Sequence, residues 1–247
     1  MILEFYLAAS LPLFFLLVFL EGGQRRILAF LIWGLTAAVI SYYTSGELAL
    51  LLAGSTVLSD VTIAPVVEEF AKALPLFVLL PLFGRRFSKE LLVLAMASGF
   101  GFAILENYVY VSSFVLGGAG AIAYAVVRGI TTSVMHGCMT AIIGYGIFLT
   151  CGFEKRSLPS ILFGLYTVAV TIHALYNLLV GHSDYGRLLA IGLPLLLFVL
   201  LLVAYYRDTL FTKAPLPASV MAGEAAPEEG VYGPGMVGQR REVPEEE

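Results

Sequence analysis

The chain has 247 residues, 59% of them hydrophobic and only 13% charged, with a formal net charge of -4 and a mean hydropathy of +0.90. A soluble domain carries roughly twice that charge fraction, and the acid gathered between Glu224 and Glu247 leaves no basic footprint for nucleic acid. Repeated apolar runs of about 18 residues or more exclude a soluble enzyme and predict an all-α, polytopic membrane protein.

In chain order the runs predict seven transmembrane helices: Ile2–Leu20, Ile27–Thr44, Asp60–Phe83, Ser88–Leu116, Ala121–Cys151, Ser157–Gly181 and Arg187–Tyr206. The first reads as a span rather than a signal peptide, because Glu4 stands where a basic n-region belongs and no small-x-small cleavage site follows Leu20. Glu47–Ser59 is apolar but too short to cross alone, which makes it an interfacial or re-entrant piece, with an eighth span as the alternative. Arg25-Arg26, Arg85-Arg86 with Lys89, and Lys155-Arg156 fall in alternate loops, and Arg207 and Lys213 follow the last span. By the positive-inside rule the N-terminus lies outside and the C-terminus in the cytoplasm; only Arg187 runs against the pattern. Residues 1–207 thus read as one helical bundle in a cell membrane. From 208 to 247 the chain is rich in Pro, Gly and Glu, lacks the apolar mass to fold, and reads as a disordered cytoplasmic tail. Cys138 and Cys151 have no metal or redox spacing and read as small packing residues.

Each ionisable group inside a span costs at least ~2.5 kcal/mol on insertion scales, so such groups face a bundle interior or a wet cavity. Glu68, Glu69 and Lys72 lie in span three, Glu106 and Asn107 in span four, Arg128, His136 and Thr140 in span five, and His173 and Asn177 in span six. At a rise of ~1.5 Å per residue, the glutamates and both histidines fall about 12–20 Å below the outer surface. One shared band in the outer half of the bilayer predicts a single assembled site. Spacing of four puts Glu68 on the face of Lys72 as an ion pair. The same spacing sets Thr140 beside His136 and Asn177 beside His173, to steady each ring or bind substrate. Glu69 points ~100° away from Glu68. Arg128 either snorkels outward or pairs with a glutamate, and Ser98 reads as a small packing residue.

Carboxylates and imidazoles in a partly dry cavity suit a hydrolase in which glutamate takes a proton from water and histidine or asparagine steadies the oxyanion. No serine or cysteine is placed as a nucleophile, and neither an HExxH helix nor a GxGD aspartate occurs. Glu68-Glu69-x-x-Lys72, Phe102-x-x-x-Glu106-Asn107, His136-x-x-x-Thr140 and His173-x-x-x-Asn177 together resemble the PrsW intramembrane proteases. The resemblance runs over residues 60–180 and extends more distantly to the CAAX prenyl endopeptidases. It implies cleavage of a membrane-anchored protein, such as an anti-sigma factor, near the extracytoplasmic side. Glu68, Glu69 and His136 would be central, Glu106, His173 and Asn177 would support them, and the base is left unassigned between the two adjacent glutamates. The depth of the band favours this branch over CAAX enzymes, whose substrates are cytoplasmic.

No cofactor is favoured, because Lys72 beside Glu68 would oppose a cation; the alternative is a zinc ion on His136, His173 and Glu69. The partners are then the lipid bilayer and a membrane-anchored substrate. Two other classes stay open. One is a proton-coupled transporter or channel, whose relay would spread across the membrane's depth. The other is a receptor or scaffold with a vestigial site. A retinal Schiff base on Lys72 is disfavoured by its place in the third span.

Overall fold

The computed structural model describes residues 1–52, 59–83, 90–114, 118–149 and 157–211. Among them are seven α-helices: α1 (Ile2–Phe19), α2 (Gly22–Leu52), α3 (Ala64–Phe83), α4 (Glu90–Ser112), α5 (Ala119–Leu149), α6 (Leu158–His182) and α7 (Asp184–Phe211). A π-helical turn, Ser59–Ile63, leads directly into α3. The all-α class and the seven expected helices are found. Six helices are long and apolar enough to cross a membrane; the exception is α3, which carries Glu68, Glu69 and Lys72.

The separate piece expected over Glu47–Ser59 is not present in that form. Glu47–Leu52 continues α2, since Glu, Leu and Ala are strong helix formers, and Ser59 already belongs to the π-helical turn. Residues 53–58 lie outside the described residues, as do Arg85, Arg86, Lys89, Cys151, Lys155, Arg156 and the tail from 212 onward.

The bundle encloses a polar cluster within an apolar core and is apolar outside. Ser98, Glu69, Lys72, His136, Thr140 and His173 are buried, whereas Phe15, Leu50, Phe163 and Leu188 are exposed where lipid would lie. α3 is the inner helix, packed against α2, α4, α5 and α6, and α4 sits between α2 and α5. Small residues allow this. A Cβ on Gly34 would collide with the backbone of Ser98 and Phe102, and one on Gly99 with the backbone of His136 and Gly137. Lipid is as apolar as leucine, so close backbone approach and cross-helix hydrogen bonds hold a membrane bundle together.

One such grip is set by Pro75. Proline has no N–H, so the carbonyl of Ala71, four residues back, loses its helical donor. Trp33 Nε1 on α2 supplies it at 2.9 Å, and the adjacent Lys72 carbonyl accepts Ser98 Oγ from α4 at 2.9 Å. Trp33→Phe would leave the Ala71 carbonyl unpaired and is expected to lower stability by about 1–3 kcal/mol in thermal unfolding in detergent. An unchanged midpoint would mean that another donor reaches that carbonyl. At the start of the bundle, Arg26 of α2 pairs with Glu90 of α4 at 2.8 and 2.9 Å, which brings the beginnings of these two helices to the same end.

Candidate functional site

Lys72 is the centre of the polar cluster. Its buried ammonium donates to Glu69 Oε1 at 2.6 Å and to His136 Nδ1 at 2.8 Å, and lies 4.7 Å from the centroid of the Phe102 ring. An ammonium has only donors, so Nδ1 of His136 must accept. The ring is then the Nε2–H tautomer, and it donates to Glu106 Oε2 at 2.8 Å. Glu106 Oε2 also accepts Arg128 Nη2 at 3.1 Å. On the other side, Glu69 Oε1 accepts from His173 Nδ1 at 2.7 Å. The unprotonated Nε2 of a neutral His173 therefore faces Glu68 Oε2, 3.7 Å away. An unbroken hydrogen-bonded chain thus runs Arg128–Glu106–His136–Lys72–Glu69–His173 and draws on α3, α4, α5 and α6. The two imidazoles meet edge to face with centroids 5.0 Å apart.

Buried charge persists when it is paired and hydrogen-bonded, and Lys72 and Glu69, each 0% exposed, meet that condition together. Glu68 does not share it: its Oε2 is buried and has no hydrogen-bond partner, as is true of Glu69 Oε2. Glu68 and Glu106 both line a cavity of about 730 Å³, together with Phe102, Asn177 and the C-terminal half of α2. A partnerless carboxylate oxygen opposite an imidazole lone pair suits a proton donor such as water, or a cation, between them.

The structure gathers the predicted residues but rearranges their pairings. Lys72 pairs with Glu69 rather than Glu68, because Glu69 is on the inward side of α3 while Glu68 is on the cavity wall. Thr140 is buried beside His136 in sequence but returns its hydroxyl to the His136 carbonyl at 3.1 Å, the nearest acceptor for a helical threonine. Asn177 gives an amide N–H to the Asp60 carbonyl at 2.9 Å, so neither residue holds its histidine ring. Arg128 is paired inward: besides Glu106, its Nε donates to Asn107 Oδ1 at 3.1 Å, and its guanidinium lies 3.9 Å from the centroid of the Tyr110 ring. Asn107 in turn donates to Ser133 Oγ at 3.0 Å.

Sequence reasoning missed Trp33, the hydrogen bond of Ser98, and the Thr132–Tyr176 hydroxyl pair (3.0 Å) that ties α5 to α6 one turn from the histidines. Pro75 signalled the freed carbonyl; nothing local signalled its partner.

Glu68, His136 and His173 each offer a ligand atom, all within 4.8 Å of one another. Around a tetrahedral ion with bonds of about 2.0–2.1 Å, ligand atoms stand ~3.3 Å apart. The Glu68–His173 separation of 3.7 Å is near that value. Glu69 behind His173 is the carboxylate that fixes a metal-binding tautomer. In the group that could hold an ion the carboxylate is thus Glu68, where the sequence reading has Glu69. For His136 to join the set through Nε2, the ring proton would move to Nδ1 and the Lys72 ammonium would turn away from that nitrogen. The donors thus fit a two-histidine, one-carboxylate site.

A family model described as PrsW family intramembrane metalloprotease matches residues 23–205. No curated protein and no solved structure gives a match.

Proposed function

The chain belongs to the PrsW family of intramembrane metalloproteases, and on that premise we propose that it cuts a membrane-anchored protein, of the anti-sigma-factor kind, near the extracytoplasmic face of a cell membrane. One observation carries this reading: Glu68, beside His173 at one end of the hydrogen-bonded chain, and Glu106, beside Arg128 at the other, line the same cavity. A transport relay would have to join the two sides of the membrane, whereas these groups begin and end at one place.

Glu68, His136 and His173 would hold the ion that the family's description implies. When bound, zinc lowers the pKa of water and polarises a carbonyl. Glu106, held by Arg128 on the cavity wall, is placed to accept the proton of the attacking water. Glu69 and Lys72 are positioning residues. Glu69 keeps the proton of His173 on Nδ1, so that Nε2 faces Glu68, and Lys72 balances Glu69 and orients His136. Asn177, with a second amide hydrogen beyond the one given to Asp60, supplies a donor for the oxyanion. A metal-free reading is favoured by one observation: both ring nitrogens of His136 are already hydrogen-bonded. In that case Glu68 takes the proton itself.

Loop charge supports the side of the membrane. The cavity adjoins the C-terminal half of α2, away from the Arg25-Arg26 turn that the positive-inside rule assigns to the cytoplasm. The same topology makes residues 1–207 the membrane bundle and 208–247 a cytoplasmic tail.

The test is cleavage of a tagged single-span substrate by protein reconstituted in vesicles, with and without a chelator, beside a zinc assay. Cleavage is expected to be lost on chelation and regained with zinc, bound at about one ion per chain. Cleavage that survives in zinc-free protein would transfer the chemistry to Glu68 alone. Failure to cut any such substrate, with proton or solute flux in the same vesicles, would overturn the protease reading.

A further inference from the structure

The C-terminal half of α2 forms one wall of the cavity and carries polar groups that the reaction above does not use. Ser41 and Ser45, one helical turn apart, both line it. Neither hydroxyl has a hydrogen-bond partner, although Ser41 is only 2% exposed. Helical hydroxyls ordinarily bond to the carbonyl one turn back. Thr36, Thr131 and Thr140 do so here at 3.0, 2.8 and 3.1 Å. Two buried hydroxyls that forgo this bond beside a cavity carry a cost that a ligand would relieve.

The cavity is also acidic. Glu47, at the far end of this wall, and Asp60, on the π-helical turn, join Glu68 and Glu106, and no lysine or arginine is among the lining residues. Glu47 and Asp60 have no ion-pair partner among the described residues. A scissile peptide bond must be released from helical hydrogen bonding, and in a low-dielectric site each freed N–H and C=O needs a new partner. The Ser41–Ser45 step along α2 is ~6 Å, close to the two-residue repeat of about 6.4–6.8 Å in an extended chain.

We propose that this wall of α2 is the substrate track. An extended segment of the substrate lies along it, with backbone groups hydrogen-bonded to Ser41 and Ser45 and a lysine or arginine set between Glu47 and Asp60. The inference rests on the protease reading and adds a substrate class to it: membrane-anchored segments with a basic residue close to the scissile bond. An acidic residue in that place meets like charge and is rejected.

The experiment uses the full-length protein in vesicles and single-span peptide substrates that differ only in carrying Lys, Gln or Glu at successive positions near the extracytoplasmic boundary. At one position the Lys substrate is expected to be cut with a kcat/KM at least about tenfold above the Gln substrate, and further above Glu. That preference should vanish in the Glu47→Gln, Asp60→Asn double variant. Ser41→Ala and Ser45→Ala should each raise KM about 3- to 10-fold with kcat little changed. Their thermal midpoints should hold or rise, because an unpaired buried hydroxyl is removed; a purely structural role would lower them. Equal cleavage of all substrates at every position, or an unchanged KM in both serine variants, overturns the track and leaves the protease reading standing. No cleavage of any substrate overturns both.

Discussion

Glu68→Gln is expected to lower kcat/KM for a single-span substrate by at least about 100-fold while leaving the protein as stable as before or more so. The two effects share one cause. Glu68 Oε2 has no donor and faces His173 Nε2 across 3.7 Å, so an amide in its place can donate to a nitrogen that lacks a partner. The same replacement removes the negative charge and the basic oxygen, and the side chain can then neither hold a cation well nor take a proton. Cleavage rate and thermal midpoint, measured on one preparation, check both halves. In the metal reading the zinc content falls with the activity. With Glu106 on the cavity wall and in the proposed role of proton acceptor, Glu106→Gln should lose comparable activity and keep its zinc. Activity near wild type in Glu68→Gln would remove Glu68 from the reacting centre.

Lys72→Met is expected to cost about 3–5 kcal/mol of stability, because it strips the partner from a buried charge. Lys72 and Glu69 are both 0% exposed and 2.6 Å apart, and the same ammonium holds His136. Without it Glu69 keeps only His173 for company. Adding Glu69→Gln takes away the stranded charge, so the double variant should recover most of the stability. It should remain inactive, since His136 then lacks the Lys72 donor and His173 lacks a charged acceptor. Thermal unfolding in detergent of both single variants and the double variant yields the coupling between the two residues. Purely additive losses would mean that the pair does not act as a unit.

The ion pair also marks where sequence reasoning reaches its end. The membrane class, the seven helices and the meeting of Glu68, Glu69, Glu106, His136 and His173 were readable from local sequence. Apolar length measures the bilayer, charge in lipid is costly, and a fixed rise per residue converts sequence position into depth. The i,i+4 rule then joined Lys72 to Glu68, as it would on an exposed helix. On the buried helix α3 the deciding quantity is desolvation, and the charge that must be neutralised is the one turned inward, Glu69. The same shift explains Thr140 and Asn177. Both are polar neighbours of a histidine at helical spacing, but each finds a nearer backbone carbonyl. Trp33, Ser41 and Ser45 had no readable role, because the worth of a donor depends on what stands across from it.

By itself, the sequence determined the helical membrane architecture and the set of residues that could meet. Tertiary packing alone decided that Glu69 is sealed against Lys72 and His173 while Glu68 is left with an unpartnered oxygen on the cavity wall. The physical reason is rotational. A period of ~3.6 residues states which side chains share a face, but that face acquires a direction only when the neighbouring helices press against it.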